Sequence, residues 1–316
     1  MNAKSTHLAA AGYYRIKTVM QTSAIYSRHP HALGLDIFHN GVLKVDAYQG
    51  TRNHVEYEAH ELEWIVLAKK GDRLYAGRHV YGYVNVEDAG GTNRNNILIH
   101  MIAAKSDSQT SVTMATTDRP NAWMSSSRIN PMKMDRLMLN VKGGYSASSG
   151  KFTAPTSGIY RIFQMMQTTY TSRGHTHAMG MAMYKNGATI GDQYQGQNRD
   201  EASMYHVHEM ERMTYAARGN QLWVDFYMGG RSLIEYRGGT WRCNQQFYLV
   251  GDSTNKRAKV VQVGAYWGNS GNRGLSLNPI KCETRTSVPI CHAAHRQSAS
   301  SACTELGEQL RACSSF

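Results

Sequence analysis

Asn140-Val-Lys-Gly-Gly-Tyr145-Ser-Ala-Ser-Ser-Gly150-Lys-Phe152-Thr-Ala-Pro155-Thr-Ser-Gly158-Ile-Tyr160-Arg-Ile162 decides how the rest of the chain is read. Lys142 to Tyr145 read as a turn and Ser146 to Gly150 as a Ser/Gly hinge. A short β-type run follows, stopped by Pro155, and a Ser-Gly turn launches a new strand at Ile159. Gly143, Gly144, Gly150 and Gly158 are expected to supply the positive backbone angles of sharp corners. Tyr145, Phe152 and Tyr160 are aromatic anchors of the kind found where a sheet folds back over its own core. All of this is scaffold, and none of it is catalytic chemistry.

The spacing of these residues resembles the signature of the complement q-subcomponent (C1q) globular domain, a relative of the tumour-necrosis-factor jelly roll. That pattern runs Asn, four residues, an aromatic, six residues, Phe, five residues, then Gly-x-Tyr-x-aromatic-x-aromatic. Asn140, Tyr145, Phe152, Gly158 and Tyr160 fill its first five places. Met134 stands where an upstream Phe is preferred, Ile162 takes the next aromatic place and Gln164 the last. The first two keep an apolar side chain; Gln164 does not, so the end of that strand is expected to pack differently.

The chain also matches itself. Gly12-Tyr-Tyr-Arg-Ile lines up with Gly158-Ile-Tyr-Arg-Ile, and Asn40-Gly41 with Asn186-Gly187. Asp46-Ala-Tyr-Gln-Gly50 matches Asp192-Gln-Tyr-Gln-Gly196. After a two-residue shift His60-Glu-Leu-Glu63 meets His208-Glu-Met-Glu211. A match in nearly one register over this length implies duplication of a whole domain. Both copies read as β: short apolar and aromatic runs separated by turns, with Asn-Gly pairs that suit type I′ hairpins. Gly71-Asp72 and Gly219-Asn220 read as further turns. The expected fold is an all-β jelly-roll sandwich, duplicated. Residues 1–103 are expected to form a first jelly-roll domain, 104–111 a linker, 112–252 a complete second domain and 253–316 a mostly irregular, Cys-containing tail. The first copy begins at Gly12, directly on the central strand, and has no counterpart of Asn140 to Pro155. An incomplete N-terminus is therefore expected, or a first domain completed by another chain.

Lys plus Arg number 35 and Asp plus Glu 23, a formal charge of +12 in 316 residues. Eight basic and three acidic residues follow Ser253, so +5 of that charge belongs to the tail and a nucleic-acid partner is not expected. No apolar run is long enough for a membrane span. Cys282, Cys291, Cys303 and Cys313 lie in the tail and can form two local bridges; a zinc site with His292 and His295 lacks any Cys-x-x-Cys pair. Cys243 is left over and reads as a buried small hydrophobe.

Catalytic chemistry finds no footing. There is no Gly-x-Ser-x-Gly and no Gly-rich phosphate cradle opening a helix. Glu61, Glu63, Glu209 and Glu211 alternate in the manner of the wet face of a sheet. His29-x-His31, His175-x-His177 and His206-x-His208 would each put two imidazoles on one strand face. A metal there needs a third ligand, so they read as polar strand edges or a layer around an assembly axis. Asp46, Asp192, Asp200 and Glu201 are the candidates for calcium, and solvated loop carboxylates are the preferred reading. No catalytic, cofactor or metal residue is nominated, and calcium is the one ion kept open.

The resemblance implies a secreted, non-enzymatic recognition protein that assembles as a homotrimer and binds a protein, glycan or microbial surface ligand. Tyr14, Trp64, Tyr160 and Trp223 would then lie in the core or the trimer interface. A cytokine-like ligand of a cell-surface receptor and a structural matrix protein are the alternatives.

Overall fold

In the computed structural model the described residues are 6–23, 31–51, 57–81, 85–86, 95–169, 177–197, 203–236 and 241–252, with short strands between 260 and 296. Among them there is no α-helix; one 3-10 turn, Val141–Gly143, interrupts the strands. The N-terminal part contributes β1 (Thr6–His7), β2 (Gly12–Ser23), β3 (His31–His39), β4 (Val42–Thr51), β5 (Tyr57–Ala68), β6 (Arg73–Tyr81), β7 (Asn85–Val86) and β8 (Asn96–Ala104). The C-terminal part contributes β9 (Val112–Thr116), β10 (Ala122–Ile129), β11 (Arg136–Asn140), β12 (Tyr145–Ser146) and β13 (Lys151–Thr153). Then follow β14 (Gly158–Thr169), β15 (His177–Lys185), β16 (Ala188–Gln197), β17 (Ser203–Ala216), β18 (Gln221–Ile234) and β19 (Asn244–Asp252).

The C-terminal strands make two facing antiparallel sheets in jelly-roll order. One runs β11–β9–β19–β14–β17. The other is built on β18, flanked by β15 and β16 on one side and by β10 and β13 on the other. Tyr145, Phe152, Tyr160, Ile162, Met181, Val224, Phe226 and Phe247 close the core between them. Phe152 stacks on Phe247 at 4.9 Å and tilts against Tyr160 at 5.4 Å.

Each signature residue has a local task. The Asn140 side-chain carbonyl accepts the Tyr145 N–H at 3.1 Å while its amide donates to the Tyr145 carbonyl at 3.1 Å, a two-point clamp on the turn. The Tyr145 hydroxyl accepts the Met134 N–H at 2.9 Å, so Met134 holds its place by backbone and burial. The Tyr160 hydroxyl donates to the Thr156 carbonyl at 2.8 Å, and Tyr14 repeats the bond to Ala10 at 2.9 Å. Gln164 is fully buried and donates to the Met165 carbonyl at 2.9 Å. The glycines divide into two kinds. Gly143 and Gly150 take positive φ, but Gly144 sits at φ −67° and Gly158 is not among the positive-φ residues. Close approach requires the latter pair: a Cβ added at Gly144 would lie 2.4 Å from the Phe152 ring, and one at Gly158 would lie 2.4 Å from the Gly251 carbonyl oxygen.

The N-terminal strands pair at corresponding positions. β8, β2 and β5 form one sheet; β6, β3 and β4 form the other, with β1 beside β6. Both Asn-Gly pairs have positive φ at both residues, 51° and 81° then 49° and 91°, as a type I′ turn demands. Even a register slip recurs, between Tyr13 and Tyr14 and between Ile159 and Tyr160. One expectation needs correcting, because the N-terminal part does not start at Gly12. The Leu8 N–H donates to the Asp72 carbonyl and the Leu8 carbonyl accepts from Gly71; Ala154 makes the same pair of bonds with Asn220 and Gly219. β1 thus stands where β13 stands. The tail holds β20 (Val260–Val261), β21 (Ala265–Tyr266), β22 (Ser276–Asn278), β23 (Ile290–Cys291) and β24 (Ala294–Arg296). Cys282, Cys303, Cys313 and His292 lie outside the described residues.

Candidate assembly face

Alternation along a strand sends every second side chain away from the sandwich it belongs to. On β14 the inward set includes Tyr160 and Ile162, and the outward set is Ile159, Arg161, Phe163 and Met165. The outward set is nonetheless buried throughout. The N-terminal strands cover it: Phe163, Met165, Tyr248, Val112 and Met114 belong to one apolar cluster with Tyr13, Ile65 and the N-terminal core.

A cluster of four charged side chains lies in this seam. Arg161, only 1% exposed, donates to both carboxylate oxygens of Glu63, at 2.7 and 3.0 Å, and also to Glu211. Arg15 pairs with Glu63 and stands 3.8 Å from Glu211. Arg15 and Arg161 occupy matching places on β2 and β14, as do Glu63 and Glu211 on β5 and β17. Burial disfavours the Arg161 cation, yet the Glu211 hydrogen bond and the field of Glu63 carry its pKa above the usual guanidinium value. Burial likewise works to raise the Glu211 pKa, and the Arg161 hydrogen bond outweighs it, holding the carboxyl below its ordinary range.

Further along the seam the balance reverses. Lys17 pairs with Glu61 at 2.5 Å, but the C-terminal counterpart of Lys17 is Phe163, so Glu209 has no lysine of its own. Burial, then repulsion from Glu61, pushes the Glu209 carboxyl up to about 8, against the pull of Lys17. His100, beside Arg15, is lowered by burial and then by that cation.

A second buried network crosses the seam where β4 meets β17 at Thr51 and Ser203. Arg242 donates to Asp46 at 3.0 and 3.2 Å, pairs with Glu235 and lies 4.4 Å over the Tyr48 ring. Gln167 accepts the Tyr48 N–H at 2.8 Å and donates to Glu235 at 2.5 Å. Both networks cross between the two parts: Glu63 and Asp46 of the N-terminal part receive Arg161 and Arg242 of the C-terminal part, and in the first the matching pair, Arg15 and Glu211, also approaches.

Several expectations change here. Glu63 is not on a wet face, because the face it projects from is covered by the other half of the chain. Asp46 is occupied by Arg242 and is not a calcium ligand in this arrangement; Asp192 is exposed, and Asp200 and Glu201 lie outside the described residues. His208 is buried within the sandwich, its Nε2 3.2 Å from Thr168 Oγ1, and His60 repeats this with Thr22 at 3.0 Å. His29 and His175 fall outside the described residues, as do the side chains of His31 and His177. Among the described residues no group of three or more His, Cys, Asp or Glu converges for a metal. Tyr14, Trp64 and Tyr160 are core residues, whereas Trp223 lies on the outer face, stacked on Tyr184 at 5.3 Å. Cys243 is buried as expected, and burial pushes its thiol up to about 12. The charged seam is the feature sequence reading missed. Its signal was there: the Arg of Gly-x-Tyr-Arg and the second Glu of His-Glu-x-Glu recur together in both halves.

Residues 114–239 match the family model of the C1q domain. Among solved structures the chain is similar to the globular domain of zebrafish complement 1qA protein, at 10% identity over 45% of this chain and 98% of that one, with a TM-score of 0.33. It is also similar to Eiger TNF from S. frugiperda, at 8% identity over 48% and 99%, TM-score 0.35. Murine APRIL aligns at 12% identity over 44% and 98%, TM-score 0.32. No curated protein matches the sequence.

Proposed function

Residues 114–239 being a C1q domain, we propose that the chain is an extracellular, non-enzymatic recognition module that binds a protein, glycan or microbial surface ligand as a homotrimer. C1q domain proteins are generally extracellular, and such domains typically form trimers. No helix among the described residues is long and apolar enough to cross a membrane. The N-terminal strands are read as a second domain of the same type, whose described residues match β13 to β19.

The observation that carries the assembly is the seam between the two parts, and within it the Asp46–Arg242 contact. Asp46 holds Arg242, while its counterpart Asp192 faces solvent; Glu211, the counterpart of Glu63, is half taken up by Arg161 in the same seam. The C-terminal part therefore leaves Asp192 exposed at the place where the N-terminal part has Asp46 engaged. A contact between chains can repeat the one inside the chain, and several copies of each loop then meet a ligand surface together.

Light scattering of the full chain, followed by titration onto immobilised glycans, bacterial surfaces and receptor ectodomains, tests this. The expected result is a mass of three chains and binding that steepens with ligand density. A single-chain mass with no surface binding contradicts it.

A further inference from the structure

A small cavity opens inside the C-terminal sandwich, where β15 and β16 face β17. It is lined by Met179 and Met181 of β15, Gln193 of β16 and His208 of β17, and it has room for a small ion. Met179, Met181 and His208 are buried, whereas Gln193 is exposed and sets the mouth of the cavity at the surface. Strand alternation brings the donors together: Met179 and Met181, two residues apart, project from one sheet and His208 from the other. The imidazole is held from behind, with Thr168 Oγ1 3.2 Å from its Nε2 and the His206 ring stacked on it at 4.6 Å. Outer partners of this kind fix the orientation of a ligating histidine.

The N-terminal part shows what these places hold when only packing is asked of them. At the same registers of β3 and β4, the counterparts of Met179, Met181 and Gln193 are Leu33, Leu35 and Ala47, all buried. His60 keeps the place of His208 and its contact with a threonine, Thr22. Glu58 stands at the place of His206, opposite Thr22 as His206 is opposite Thr168. Hydrocarbon therefore suffices to fill the site. Thioethers stand in its place on the side that also carries the second histidine.

We infer that Met179, Met181 and His208 form a binding site for a soft monovalent metal ion, Cu(I). Thioether sulfur is polarisable, a poor ligand for a hard cation such as calcium, and together with imidazole it selects Cu(I). All three donors are neutral side chains, so the ion brings one positive charge into the sandwich where a zinc ion would bring two. Methionine thus supplies the further ligands that a histidine pair on one strand lacks on its own.

The test is an anaerobic titration of the full chain with Cu(I) in acetonitrile, after alkylation of its accessible thiols, read by the methyl resonances of labelled methionine. Among the 17 methionines, the Met179 and Met181 methyls are expected to shift, saturating at one equivalent. Met20, which lies opposite His60 in the N-terminal part, should not move. The double variant Met179→Leu/Met181→Leu conserves volume and copies Leu33 and Leu35, so its fold should persist. In competition with a colorimetric Cu(I) chelator it should lose at least about tenfold in affinity. Equal affinity of the double variant overturns the proposal, as do shifts confined to other methionines. Binding that disappears once the thiols are alkylated would assign the metal to the cysteines and overturn it too. The same two shifts with Zn(II) would contradict a site selective for a soft ion.

Discussion

On β19, Gln245 and Gln246 are polar and completely buried; at the same two places on β8, Ile97 and Leu98 are apolar and exposed. Residue character is thus inverted with respect to burial. Topology decides the matter, since β9 lies over one edge and no described strand lies over the other. Each glutamine uses its amide N–H locally, Gln245 to the Met132 carbonyl at 3.1 Å and Gln246 to Asn244 Oδ1 at 3.1 Å, while both side-chain oxygens are buried without a partner among the described residues. Within one chain, two edges at one register show that a strand's neighbours determine its exposure before its composition does.

The largest expected contrast pairs Phe247 with its counterpart Ile99. Phe247→Ala empties a site stacked between Tyr145 and Phe152 and should cost about 3–5 kcal/mol in denaturant unfolding. Ile99→Ala, on the uncovered strand, should cost roughly 1–2 kcal/mol, because the site is only partly buried. Equal losses would mean that β8 is covered after all. Asn140→Ala removes the clamp on Tyr145, which has no equivalent among the described N-terminal residues, and should cost about 1–3 kcal/mol.

A further effect depends on pH. The Glu209 carboxyl titrates near 8 in the folded chain against an ordinary value of 4.5, so the folded state binds the extra proton between them. Its contribution to stability is full below 4.5 and is lost as pH rises through about 8. Glu209→Gln should flatten the stability profile across that window and raise the melting temperature at pH 9 relative to wild type. An unchanged profile would place Glu209 in water, away from Glu61.

Much of the scaffold was legible in residue spacing. Asn-Gly demands positive φ at two successive residues, which little else accommodates, so both hairpins were readable. Asn140, Tyr145, Phe152, Gly158 and Tyr160 were readable because their tasks are local: a clamp, a corner and a stacked core. Gly144 and Gly158 were misassigned because close approach and positive φ both select glycine, and only the neighbouring atoms tell them apart. The seam was not legible. Alternation shows that Glu63 and Arg161 point away from their own sandwiches, but not what they meet there.

The central claim is that the two parts of the chain are locked together across a buried ion cluster, and a double-mutant cycle on Arg161 and Glu63 tests it most directly. Arg161→Met and Glu63→Gln, alone and together, are compared by equilibrium unfolding of the full chain. The account predicts a coupling energy of about 1.5–3 kcal/mol, since the two side chains share a bidentate buried contact between positions 98 residues apart, although each keeps a second partner, Arg15 for Glu63 and Glu211 for Arg161. Additive losses would contradict it, because they would mean that Arg161 and Glu63 do not meet.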